Sequence, residues 1–140
     1  LPVPSRYTYG LAGERFFRAL KDNGAIMGSY CPDCDHTYVP ATIFCERCLG
    51  RLEDTYAPLA AQGTVKAVTV CYENYDGTAK DAPSTVALIL IDGTESTLLH
   101  WLGDVDAKQA KIGLRVEAVM KPNAERVGSI LDIKYFKPTK

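Results

Sequence analysis

Cys31-Pro32-Asp33-Cys34 and Cys45-Glu46-Arg47-Cys48, with ten residues between them, decide how this chain is read. Two Cys-x-x-Cys knuckles at this separation are the sequence form of a zinc ribbon. Each knuckle turns tightly enough to aim two thiolates at one point, and two facing knuckles complete a tetrahedral sulfur shell around Zn²⁺. Pro32 fixes one backbone angle inside the first turn, and Gly50 follows the second. Four of the five cysteines fall in this register. Paired disulfides would need an oxidising compartment, and nothing at the start of the sequence reads as an export segment. A redox pair would need one knuckle and leave the other unexplained. Iron stays open beside zinc, because a four-sulfur shell accepts both. With every position taken by a thiolate there is no place for an activated water or a substrate oxygen. The expectation is one structural zinc per chain on Cys31, Cys34, Cys45 and Cys48, with function carried elsewhere.

The 140 residues suit one compact unit or two small modules sharing a surface. A net charge of −1 and a pI near 6.1 argue against a phosphate-backbone binder, which needs concentrated positive charge. No apolar run is long enough to span a bilayer. Cysteines of the reduced, metal-binding type point to the cytoplasm.

Working outward from the knuckles, residues 25–30 read as a strand entering the first one. Residues 37–40 and 42–44 read as the ribbon's arms, and 53–59 as a returning strand. His36 is expected as an exposed turn residue rather than a fifth ligand. On the N-terminal side, residues 13–22 form the one convincing helix: Phe16, Phe17 and Leu20 recur at helical spacing, and Asn23-Gly24 supplies the stop. That stripe must be buried, against the ribbon or against a partner subunit. Residues 1–10 carry Pro2, Pro4, Tyr7 and Tyr9 and read as an extended strap whose tyrosines anchor a partner.

Beyond Gly63 the chain turns β-rich. Residues 63–72, 85–91 and 96–102 read as three strands, with a long polar loop at 73–83 and a turn at Asp92-Gly93. A short helix at 106–111 and strands at 114–121 and 129–136 follow, the last with Leu131, Ile133 and Tyr135 on one face. Three strands, a helix and two strands give a five-stranded OB barrel. The fold expected is mainly β: N-terminal arm and helix at 1–24, zinc ribbon at 25–60, OB barrel at 61–140. Residues 85–91 are apolar on both faces, which implies one face in the barrel and the other beneath the ribbon and helix.

Catalytic groups are scarce. Cys71 and His100 make a thiol–base pair only if their strands are neighbours. No phosphate loop, nucleophile elbow or carboxylate pair is present. Tyr72, Tyr75 and Trp101 offer stacking for single-stranded nucleic acid, but Glu73, Asp76, Asp81, Asp92 and Glu95 crowd the same loops. The residues read as a binding or scaffolding module. The 73–83 loop, with Tyr75 to stack and Lys80 to pair, is the place expected to meet a ligand.

Helix, ribbon and barrel in this order resemble a bacterial and archaeal family catalogued as domain of unknown function thirty-five. The resemblance rests on Phe16-Phe17-Arg18-Ala19-Leu20, both knuckles, Tyr38-Val39-Pro40, Gly63-Thr64-Val65, Leu90-Ile91-Asp92-Gly93 and Ile112-Gly113-Leu114-Arg115-Val116-Glu117. Asp35 and Leu49 depart from it, standing where glycine is frequent. The resemblance implies a rubredoxin-like zinc ribbon and an acyl-CoA-associated OB fold. It further implies a non-catalytic accessory subunit that docks on a thiolase-fold enzyme and helps form its CoA thioester site. One such member accompanies the thiolase that cleaves benzoylsuccinyl-CoA in anaerobic toluene breakdown, and that role is carried here as an expectation. Tyr75 and Lys80 would then meet CoA, while Tyr7, Tyr9, Phe16, Phe17 and Leu20 would meet the catalytic subunit.

Overall fold

The structure is a computed structural model that describes residues 4–139. Residues 1–3 of the expected N-terminal strap and Lys140 lie outside the described residues.

Helix α1 (Gly10–Asn23) starts earlier than its apolar stripe, with Tyr9 at its N-cap and Thr8 Oγ1 accepting the Gly10 N–H at 3.1 Å. It stops where Gly24, at φ +63°, turns left-handed and sends its N–H to the carbonyls of Ala19 and Leu20. Three short strands make the ribbon sheet: β1 (Met27–Cys31), β2 (His36–Tyr38) and β3 (Tyr56–Pro58), in the order β2-β1-β3. The second arm, expected at 42–44, contributes only the isolated bridge between Phe44 and Arg51.

The barrel is closed by β4 (Gln62–Glu73), β5 (Ala79–Ile91), β6 (Thr97–Leu102), β7 (Arg115–Met120) and β8 (Ile133–Pro138), in the order β4-β5-β6-β8-β7. This is the OB arrangement: β7 returns to β4 through Gly63↔Val116, and β6 meets β8 in parallel at Leu102↔Phe136. Gly63 lies where a Cβ would run into the Leu90 carbonyl oxygen and reach 2.8 Å from Ile89 Cγ2, so the approach of β4 to β5 at this point requires glycine. Inward positions alternate as the pleat demands. Ala87, Ile89 and Ile91 of β5 meet Leu98 and Leu102 of β6, with Val65, Val116, Ile133 and Phe136 filling the rest. The interior is packed side chain, not a container.

Phe16, Leu20, Ile26 and Val39 join the same buried cluster, so helix, ribbon and barrel share one core. The helix packs on β1 and on two 3₁₀ turns, Asn123–Glu125 and Ile130–Asp132. It does not cover the outer face of β5. Leu88, Leu99 and Trp101 stay 38 %, 60 % and 41 % exposed there, which corrects the expectation of a covering layer.

Three other expectations change. The polar loop at 73–83 is mostly strand: β4 and β5 stay paired as far as Glu73↔Ala79, and only residues 74–78 turn, with Asn74 N–H bonded to the Thr78 carbonyl at 2.7 Å. Its residues are polar because the hairpin runs past the end of the barrel and both faces are wet. The helix expected at 106–111 is a single turn in which the Asp106 carboxylate takes the Lys108 N–H at 3.0 Å. The last strand begins only at Ile133, because Ile130–Asp132 is a 3₁₀ turn capped by Ser129, and this leaves Leu131 53 % exposed.

Asp132 holds that turn. Its fully buried carboxylate accepts the N–H groups of Val127, Gly128 and Ser129 at 2.7–3.2 Å. Burial by itself would raise its pKa, but these donors, helped by Lys121, outweigh burial and hold the carboxyl below the ordinary aspartate value. A depressed carboxyl stabilises the fold above its unfolded pKa of about 3.9 and loses that contribution as pH falls through the folded value. Asp132→Asn is expected to destabilise the fold by about 2–4 kcal/mol at neutral pH. It should also flatten the acid limb of the stability–pH profile, as followed by chemical denaturation between pH 7 and pH 3.

Candidate functional site

The knuckles are built by backbone turns at the tips of short strands. Cys31 ends β1, and its partner across the hairpin is His36, so Cys34 falls inside the turn. In the second knuckle Cys45 N–H bonds the Gly50 carbonyl at 2.9 Å, and Leu49 N–H bonds the Cys45 carbonyl at 3.0 Å. Asp35 and Leu49, the residues in the usual glycine positions, both take positive φ, +47° and +61°. The left-handed turn is therefore kept without glycine, at about 1–2 kcal/mol for each side chain. Asp35 offsets part of this by accepting the Tyr30 hydroxyl at 3.0 Å. Leu49 is 75 % exposed and gains nothing comparable.

The four sulfurs lie within 4.8 Å of one another, and Cys31 and Cys48 are 3.5 Å apart. Zinc–sulfur bonds of about 2.3 Å in a tetrahedron place the sulfurs roughly 3.8 Å apart, so the cluster fits one Zn²⁺. A disulfide, with sulfurs about 2.05 Å apart, does not match the 3.5 Å pair. Burial pushes the Cys34 thiol up to about 12 and raises Cys31 as well. Cys45 is held down at about 6, first by the Tyr38 hydroxyl and then by backbone N–H groups of Cys48 and Arg47. Cys45 thus ionises more readily than Cys31 or Cys34, and the metal supplies the charge that strips those two. His36 stays out of the shell. It is half-buried rather than exposed, its ring 4.5 Å from that of Tyr38.

The other expected residues scatter. Cys71 and His100 do not meet, since β5 lies between their strands. Cys71 sits opposite Ser84 on the projecting part of the hairpin. His100 is buried inside the barrel opposite Ala87, its Nε2 3.2 Å from the Ile130 carbonyl, and burial lowers its pKa. Tyr75 stands fully exposed at the hairpin tip, and Lys80 is half-buried on β5. Phe16 and Leu20 are covered by the chain itself, at 1 % and 0 % exposure, and Phe17 is half-buried under Tyr9, ring to ring at 5.4 Å. Tyr7, Tyr9 and Leu11 are the large hydrophobic residues near the helix start that face outward. Sequence reasoning missed the bare outer face of the barrel, where Val86, Leu88, Leu99 and Trp101 lie side by side through the pairs Leu88↔Leu99 and Val86↔Trp101. The double-faced apolarity of 85–91 was the available signal.

Purified protein is expected to hold one zinc per chain by elemental analysis, and chelation or Cys34→Ser should unfold the ribbon, read as new proteolytic cuts within residues 25–60. Leu49→Gly should stabilise the ribbon by about 0.5–1 kcal/mol, the relief of a left-handed leucine less the entropy that glycine brings to the unfolded chain. A rise in the midpoint of thermal unfolding of the zinc-loaded protein measures it.

Comparison with known proteins agrees with this architecture in chain order. Residues 18–53 match the family model for the ChsH2 rubredoxin-like zinc ribbon domain, and residues 56–121 match that for the ChsH2 C-terminal OB-fold domain. A DUF35 domain-containing scaffold protein of Methanocaldococcus jannaschii is 28 % identical over 108 residues, spanning 76 % of this chain and 75 % of that protein. The Ltp2-ChsH2(DUF35) aldolase shares the fold at a TM-score of 0.67 and 18 % identity, over 95 % of this chain and 98 % of that one. A crystal structure from Sulfolobus solfataricus, of a DUF35-family protein of unknown function, superposes with a TM-score of 0.64 at 32 % identity, over 79 % of this chain and 78 % of that one. With ribbon and barrel both matched and that degree of identity, the chain belongs to the DUF35 family.

Proposed function

We propose that this chain is a non-catalytic, zinc-stabilised scaffold subunit that docks on the thiolase-fold catalytic subunit of an acyl-CoA enzyme and helps form its CoA thioester site. The observation that carries the reading is the bare face of β5 and β6. Leu88, Leu99 and Trp101, continued by Leu131 beside them, present apolar surface that stays open among the described residues. Soluble domains seldom leave a contiguous face of that kind open unless a partner closes it. Tyr7, Tyr9 and Leu11 extend the offer at the start of α1. The scaffold description of the archaeal relative supports a partnered role. So does the pairing of ChsH2(DUF35) with Ltp2 in an aldolase of the same fold.

In this reading the closed metal site and the filled barrel do no chemistry, and the reactive cysteine belongs to the partner. CoA is met along the projecting hairpin, where Tyr75 at the tip stacks and Lys80 on β5 pairs with phosphate. The finer role beside a benzoylsuccinyl-CoA thiolase rests on the sequence resemblance alone.

Co-expression with a thiolase-fold enzyme of the same organism is expected to give a complex that cleaves acyl-CoA, while this chain alone does not. Leu99→Asp and Trp101→Ala should each weaken the complex by about tenfold or more with zinc content unchanged. Tyr75→Ala and Lys80→Ala should raise KM for the thioester and leave the complex intact. Turnover by the isolated chain, abolished in Cys71→Ala, would overturn the reading in favour of a stand-alone enzyme. Salt-dependent retention of single strands would overturn it in favour of a nucleic-acid module.

A further inference from the structure

Tyr38 is a buried phenol placed between the metal site and the barrel. Its oxygen lies 3.2 Å from Cys45 Sγ and receives the Glu46 backbone N–H at 3.2 Å. That N–H occupies the oxygen as acceptor, and a metal-bound thiolate carries no proton of its own. The hydroxyl hydrogen must therefore point at the sulfur, so Tyr38 donates to Cys45. The Arg47 N–H adds a weaker contact to the same sulfur at 3.4 Å.

The strand that carries Tyr38 is fastened to the barrel on both sides of it. Before it, the Thr37 N–H donates to the Glu95 carboxylate at 2.8 Å, and the Ser96 hydroxyl donates to the Thr37 carbonyl at 3.3 Å. After it, Val39 is buried in the core that the barrel shares with the ribbon. The turn between β5 and β6 therefore grips β2 one residue away from the side chain that touches the metal's ligand.

We propose that Tyr38 is a positioning residue for the zinc site: its hydroxyl orients the Cys45 thiolate and moderates its charge, and the clasp of Thr37 by Glu95 holds Tyr38 in place, so that metal retention depends on how the ribbon is seated on the barrel. Hydrogen bonds to a coordinating atom fix its orientation, and their loss commonly weakens metal binding by about tenfold or more.

The test uses the full chain loaded with zinc, and in parallel with Co²⁺ as a spectroscopic substitute. Tyr38→Phe keeps the ring and removes only the hydroxyl. Zinc release to a chromogenic chelator is expected to accelerate about tenfold. The sulfur-to-cobalt charge-transfer band should move to lower energy, because a thiolate without its hydrogen-bond donor gives up charge more easily. A merely structural tyrosine would leave that band where it is. Glu95→Ala, which touches no ligand, should accelerate release in the parent protein and add nothing in the Tyr38→Phe background. Unchanged release and an unmoved band in Tyr38→Phe overturn the proposal, and so does a Glu95→Ala effect that is undiminished when the hydroxyl is absent.

Discussion

The ribbon has almost no interior of its own. Apart from the metal ligands Cys31, Cys34 and Cys45, its buried cluster consists of Tyr38 and Leu52. Hydrophobic burial on that scale cannot offset the entropy of ordering some thirty residues at roughly 1–2 kcal/mol each, so the thiolate–metal bonds supply what a core would otherwise supply. Everything else in the ribbon follows from bringing four sulfurs to one point. The knuckles accept left-handed backbone at Asp35 and Leu49, the strands stay short, and Pro32 and Gly50 stand beside the turns.

What the ribbon lacks inside, it gains at its back. Ile26 and Val39 reach into the barrel's core together with Phe16 and Leu20 of the helix, and the three parts become one folded body rather than beads on a chain. The helix stripe is used up in this way, which removes it as a free docking face. The same arrangement leaves the far side of the sheet bare, because the helix rests on the 3₁₀ turns before β8 instead of crossing β5.

Much of this was legible in the sequence because metal ligation and strand closure leave dense local signals. Cysteine spacing located the shell, and the β-branched runs with Gly63-Thr64-Val65 located the barrel. The differences arise where local contacts, not residue patterning, decide the backbone. The segment 73–83 is polar because a two-stranded extension has water on both faces, yet its backbone pairing continues. Leu131 carries the right letter for an inward strand position, but the Asp132 carboxylate draws three backbone N–H groups around itself and turns the chain before the strand can start. Neither contact has a period for a pattern search to find. The role of Tyr38 was hidden for a related reason, since a tyrosine next to a strand-forming valine looks like packing until its oxygen is seen beside a sulfur.

The barrel, then, is filled, the metal shell is closed, and the thiol of Cys71 and the imidazole of His100 are separated by a strand. A fold with its interior spoken for can act only through its exterior. Of the exteriors on offer, the outer face of β5 and β6 differs from the rest in kind. Leu49 and Ile112 are exposed at isolated positions and Tyr7, Tyr9 and Leu11 cluster at the start of the helix, whereas here cross-strand pairing sets Leu88 beside Leu99 and Val86 beside Trp101 on rigid backbone. Rigidity matters, since side chains already ordered by a sheet lose little entropy on being covered and the burial goes mostly into affinity. A strand that must be apolar inward to close the barrel and is also apolar outward satisfies two constraints at once: the first belongs to this chain, and the second is the one the proposed partner subunit answers.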